Sequence, residues 1–123
     1  MTQERAEAFE LYERGGEHDS AGRASEAIPL YEQALAAGLS GELRARCLLQ
    51  LGSSLRNVDR VEEAVTLLAD ARREFPDFRP LRAFLALALH SAGRDQEALH
   101  ELLEAIADEG EYENSLRAYA AEL

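Results

Sequence analysis

The skeleton Leu48-x2-Leu51-Gly52-x2-Leu55, followed by Ala64-x3-Leu68 and then Pro76, constrains this chain more than any other feature, because it recurs. An earlier copy reads Leu11-x2-Arg14-Gly15-x2-His18, then Ala27-x3-Tyr31 and Ala34. A later copy reads Arg82-x2-Leu85-Ala86-x2-Leu89, then Ala98-x3-Leu102 and Ala105. Ala64 and Ala98 stand 34 residues apart; Ala27 and Ala64 stand 37 apart, and the three extra residues fit a loop around Gly38, Leu39, Ser40 and Gly41. Self-similarity at such a period marks a stack of identical small units, each burying its apolar face against the next. Within a unit the apolar spacing is helical. Small residues such as Gly52, Ala64 and Ala71 fall where two antiparallel helices approach most closely, and larger side chains there would push the helices apart.

This pattern predicts an all-α chain of seven helices, at about 3–20, 25–37, 41–57, 61–74, 78–91, 95–108 and 112–122. The helix-turn-helix loops also repeat, as Ala21-Gly22-Arg23, Val58-Asp59-Arg60 and Ala92-Gly93-Arg94. Gly22 and Gly93 suit the left-handed turn that ends a helix. Asp59 replaces that glycine and is expected to cap the helix it precedes, with Glu62 at capping-box distance. Pro29 falls in a first helical turn if Ser25 is the cap; an earlier start would place it inside the helix, where a kink is expected. Repeat units need a polar terminal cap. Tyr112–Leu123 fits that role, with Leu116, Tyr119, Ala120 and Leu123 at helical spacing to cover Leu99 and Leu103.

At 123 residues the chain is one domain or one short repeat array, and it has no run of eighteen apolar residues to span a membrane. The opening MTQERAEAFE lacks the apolar core of a secretory signal, and a single cysteine, Cys47, excludes an internal disulfide. A reducing cytoplasm is the simplest home. The net charge of −11 argues against nucleic acid and anionic membrane as partners. The charge is uneven. Residues 1–43 carry nine acids and three arginines, residues 44–82 six acids and eight arginines, and residues 83–123 nine acids and two arginines.

On these motifs the chain resembles the tetratricopeptide repeat superfamily over about residues 8–112, and within it the short stand-alone bacterial proteins of the group-five type. Leu48 stands where the usual tryptophan would be, no copy has that tryptophan, and only the central copy keeps the terminal proline. The resemblance implies a right-handed α-α superhelix of three helix pairs plus a C-terminal capping helix. It implies one domain over 1–123, with repeats at about 8–41, 45–78 and 79–112 and the cap at about 112–122. It also implies a concave groove, lined by the first helix of each repeat, that binds an extended peptide or a partner's helix. By position the groove is lined by Phe9, Tyr12, Gly16 and Asp19, by Arg46, Leu49, Gln50, Ser53, Arg56 and Asn57, and by Ala83, Phe84, Leu87, His90 and Ser91. The carboxylate clamp of chaperone-tail receptors needs lysines and asparagines. The matching places hold Tyr12, Gly16, Leu49, Ser53, Ala83 and Leu87, so that clamp is absent.

Nothing in the sequence favours catalysis, a metal or a cofactor. Cys47 lies between Arg46 and Leu48 with no histidine near in sequence, and reads as a small core residue. His18, His90 and His100 form no pair at i, i+3 or i+4; His18 is expected at the helix crossing, His90 in the groove and His100 in solvent. The arginines have two readings: Arg46 and Arg56 receive an acidic peptide, or the arginines pair with acidic helices of the same chain. The expected function is therefore a non-catalytic adaptor for a protein or peptide, an acidic one where the arginines are free to receive it. The alternative is a self-associating homodimer whose groove is filled by a neighbour. The register itself is testable: Ala64→Leu should overpack the helix crossing and cost about 1–3 kcal/mol in urea or thermal unfolding.

Overall fold

The computed structural model describes residues 2–107 and 112–123. Its helices are α1 (Gln3–Ser20), α2 (Ala24–Ala36), α3 (Gly41–Asn57), α4 (Val61–Glu74), α5 (Pro80–Ser91), α6 (Asp95–Ala107) and α7 (Glu113–Ala121). Every regular element among the described residues is helical, and none of these helices is long and apolar enough to cross a membrane. Asp108 and Glu109, an acidic pair most simply read from sequence as a solvated face, lie outside the described residues.

Consecutive helices pack as pairs, α1 with α2, α3 with α4 and α5 with α6, and each pair packs on the next through α2·α3 and α4·α5. One core cluster runs through all three pairs, from Ala8 to Ala98 by way of Tyr31, Cys47, Leu68, Leu81 and Leu85. The pairs close tightly because of the small residues in the skeleton. A Cβ built on Gly52 would lie 2.4 Å from Leu68 Cγ, and one on Gly15 would lie 2.6 Å from the Tyr31 ring. Only glycine permits that approach without displacing the partner. Ala27, Ala64 and Ala71 are buried alongside.

The turns between paired helices share one hydrogen-bond scheme. Gly22, Asp59 and Gly93 are left-handed, with φ of 77°, 67° and 78°. Their amides donate to the carbonyls of Asp19, Arg56 and His90, each at 3.0 Å. The next amides, of Arg23, Arg60 and Arg94, reach back to His18, Leu55 and Leu89 at 2.8, 2.9 and 2.8 Å. These paired bonds satisfy the last carbonyls of each helix in a Schellman motif. The same arginine opens the following helix. Its carbonyl accepts from Ala27, Ala64 or Ala98, and its guanidinium pairs with Glu26, Glu63 or Glu97.

Two local expectations need correction. Asp59 does not cap α4; it takes the glycine place at the end of α3, and Arg60 occupies the N-cap position without a side-chain cap. Ser25 does not cap α2 either. Arg23 is in that position, so Pro29 is the sixth residue of the helix. The helix nonetheless runs on to Ala36 with Pro29 on its exposed side; proline has no N–H to offer the Ser25 carbonyl.

The last helix departs from its expected place. α7 packs on α6, where His100 Nδ1 lies 3.2 Å from the Ala120 carbonyl and Arg117 pairs with Glu104. His100 is therefore half-buried rather than in solvent. Ala120 is buried and Leu116 half-buried, but Leu99 remains 46% exposed. Of the two residues the helix was expected to shield, Leu103 is half-buried and Leu99 is not.

A non-glycine residue held at positive φ stores strain, and a carboxylate at a helix C-terminus opposes the helix dipole. Asp59→Gly relieves both and should stabilise the fold by about 0.5–1 kcal/mol, read as a higher urea midpoint with unchanged slope.

Candidate functional site

The odd-numbered helices form the inner layer. α3 packs on both α1 and α5, whereas no backbone packing joins α2, α4 and α6 among the described residues, α4 reaching α6 through side chains. A stack whose members converge on one side is concave there. The face presented by α1, α3 and α5 is thus the concave one.

At the α1–α3 junction of this face lies a cavity of about 250 Å³ lined by Tyr12, Glu13, Gly16, Asp19, Ser20, Tyr31 and Gln50. Four residues expected on the groove, Tyr12, Gly16, Asp19 and Gln50, meet here. The Tyr12 and Tyr31 rings are tilted by 43° with centroids 6.2 Å apart. Asp19 is held by two hydroxyls: Tyr31 donates to Oδ2 at 2.6 Å, and Ser54 donates to the carboxylate at 2.8 and 2.9 Å. This node joins α1, α2 and α3. Burial, and then donation to Asp19, hold the Tyr31 phenol well above its ordinary range.

Further along the inner face, Arg46 is exposed and is engaged within its own helix. Its guanidinium pairs with Glu42 at 3.0 Å and lies 5.9 Å from the centre of the Phe78 ring. Arg56 is half-buried and makes no ion pair with the described residues. Ser53 and Phe84 are half-buried; Phe9, Asn57, Ala83, Leu87 and Ser91 are exposed. Leu49 is not a groove residue, because only 7% of it is accessible and it belongs to the core. His90 is exposed, with Nδ1 2.7 Å from Asp95 Oδ1 across the α5–α6 turn. His18 sits at the end of the first turn, where Nδ1 lies 3.0 Å from Arg23 Nε and 3.0 Å from Glu26 Oε2.

Other arginines bind acidic helices of the chain itself. Arg44 Nε reaches both oxygens of Glu74 at 3.0 Å. Arg72 grips Glu101 with two bonds of 2.9 and 3.0 Å, tying α4 to α6. Cys47 is fully buried, its thiol donates to the Tyr31 carbonyl at 3.6 Å, and burial pushes its pKa up to about 12. At neutral pH it is a thiol with no nucleophilic role. A larger cavity, about 750 Å³, lies on the outer layer between Arg44 and Leu48 of α3 and Glu62, Thr66, Asp70 and Glu74 of α4. None of the expected groove residues lines it.

Three antiparallel helix pairs, stacked at spacings of 37 and 34 residues, make this an α-helical repeat protein with a concave inner face. Residues 8–123 match the family model described as Tetratrico peptide repeat, and the chain belongs to the tetratricopeptide-repeat family. None of the curated proteins compared with the chain matches it.

The Asp19 node is absent from the sequence reading, which placed Asp19 on the groove and gave Ser54 no role. A short polar side chain among leucines, as in Leu51-Gly52-Ser53-Ser54-Leu55, is the signal that a buried hydroxyl needs an acceptor. Ser54 is 1% exposed. Asp19→Ala leaves that hydroxyl and the Tyr31 phenol without their acceptor, and should cost about 1–3 kcal/mol of stability in chemical denaturation.

Proposed function

We propose that this protein is a non-catalytic interaction module whose concave face, formed by α1, α3 and α5, receives an acidic peptide or helical segment of a protein partner. The observation that carries this reading is the convergence of the three inner helices, with exposed or half-exposed side chains at repeat-equivalent positions along them. Family membership supports the coarse function, since tetratricopeptide repeats serve as protein-interaction modules.

The ligand class follows from the side chains on that face. Phe84 and Leu87 offer apolar contact on α5, and Tyr12 and Gln50 edge the cavity between α1 and α3. Arg56 supplies a cation without a partner carboxylate among the described residues. The Arg46–Glu42 pair is exposed, and such a pair contributes only about 0.2–1 kcal/mol, so a ligand carboxylate can replace Glu42 at little expense. Apolar anchors supply most of the affinity in such an arrangement, while the arginines steer the encounter.

Arg46→Glu combined with Arg56→Glu should weaken binding of an acidic, Leu- or Phe-containing partner segment by about tenfold or more, without lowering the unfolding temperature. Raising salt from low to physiological strength should weaken the wild-type complex and leave the variant's residual binding nearly unchanged. Equal affinity of variant and wild type, measured by titration calorimetry, would exclude the inner face as an acidic-ligand site.

A further inference from the structure

The cavity between α1 and α3 has two features that packing of the chain does not require. The first is Gly16. A glycine inside a helix weakens it relative to alanine. Gly15 beside it is needed, since a Cβ there would strike the Tyr31 ring. Gly16 is not needed in that way: a Cβ built on it meets nothing within 4 Å, and its φ is not positive. Gly16 lines the cavity together with Tyr12, one turn before it, and Asp19, about one turn after. Its bare backbone keeps that space open, and such a place lets a ligand come close to the main chain.

The second feature is charge. Asp19 and Glu13 both line the cavity, and neither forms an ion pair with the described residues. Asp19 is half-buried, and the Tyr31 and Ser54 hydroxyls that touch it both donate. A carboxylate has about four acceptor positions, so two donors leave it able to accept more. These properties select the occupant. An anion would be repelled by both acids. A metal ion is poorly served, because no group of three or more His, Cys, Asp or Glu comes together to hold one among the described residues. A neutral apolar group would cover the open positions of Asp19 without replacing their water. A guanidinium or ammonium on an apolar stem meets every demand. It brings donors to Asp19 and Glu13 and sets a cation beside the Tyr12 ring. Gln50, on the same cavity, is one turn along α3 from Arg46, about 6 Å. An extended segment with an acid at Arg46 therefore carries its base about two residues away.

We propose that this cavity is a subsite for an arginine or lysine side chain of the segment that the inner face receives. The assignment rests on the inner face being the binding face, and it adds a basic residue to the acidic segment. The probe is Nα-acetyl-arginine amide, with Nα-acetyl-citrulline amide as its neutral isostere. Each is titrated into the full chain and followed through backbone amide NMR shifts. Shifts should saturate at Tyr12, Gly16 and Gln50, with the arginine form about tenfold tighter or more. Glu13→Gln, at an exposed position, should weaken the arginine form by about threefold or more. Gly16→Leu fills the cavity and should abolish the shifts while raising the urea midpoint, so that lost binding is not lost folding. Arg46→Glu with Arg56→Glu should not weaken the probe, although it weakens an acidic segment; the two readings thus fail separately. Equal binding of the two amides, unchanged binding to Gly16→Leu, or no saturating shift at these amides would each overturn the proposal. So would tighter binding of free arginine than of the blocked form, which would assign the cavity to a small metabolite.

Discussion

The close approach of paired helices at small residues is the constraint on which the rest of the structure depends. Leu68 and Tyr31 sit where a Cβ on Gly52 or Gly15 would stand, so each pair locks by inserting one large side chain over a bare backbone. That contact sets the separation within the pair, and the separation sets which residues of α3 and α5 face inward. In the third pair Ala86 takes the glycine place, and Leu102, at the place of Leu68, is 40% exposed. Alanine in place of glycine thus distinguishes the last pair from the central one.

Charge in this protein is largely committed to the scaffold. Each turn between paired helices uses an arginine three ways: its amide closes one helix, its carbonyl opens the next, and its guanidinium meets a glutamate one turn on. These exposed pairs each add little to stability. Their worth is geometric, because they hold the chain at the junction where its direction reverses. Arg72–Glu101 is different in kind. It is bidentate and half-buried, and it joins α4 and α6, which otherwise do not touch. Of the two readings open for the arginines, pairing within the chain accounts for Arg44, Arg60, Arg72 and Arg94, and Arg56 remains for another role.

The fold was legible because its information is repeated. Three copies of one apolar skeleton locate six helices by mutual agreement, and helix ends follow from loops that share a glycine and an arginine. What stayed hidden lacks a second copy. The Asp19–Tyr31–Ser54 node occurs only where the first pair meets the second, since the places equivalent to Ser54 and Asp19 elsewhere hold other residues. Asp59 was misplaced because an aspartate is chemically apt both for capping a helix start and for a left-handed turn, and local sequence does not choose between them. The backbone does: the turn must be left-handed to return the chain, and that requirement outweighs a capping bond. The site was less legible than the fold. Position along a helix predicts which side a residue faces, but not whether a neighbour covers it, as with Leu49, or engages it, as with Arg46 and Glu42.

The spacing of side chains on the inner face limits what can bind there. Arg46 and Arg56 lie ten residues apart on α3, about 15 Å along the helix axis. A single carboxylate cannot meet both. A ligand that does must span that distance, about four to five residues if extended or about ten if helical. Both arginines ride on one rigid helix whose other side is locked into the core through Cys47, Leu48, Leu51 and Leu55. The face therefore cannot adjust its spacing to a shorter ligand without breaking the contact between Gly52 and Leu68. In the proposed complex, selection by length would come from the packing of the scaffold and selection by charge from its surface.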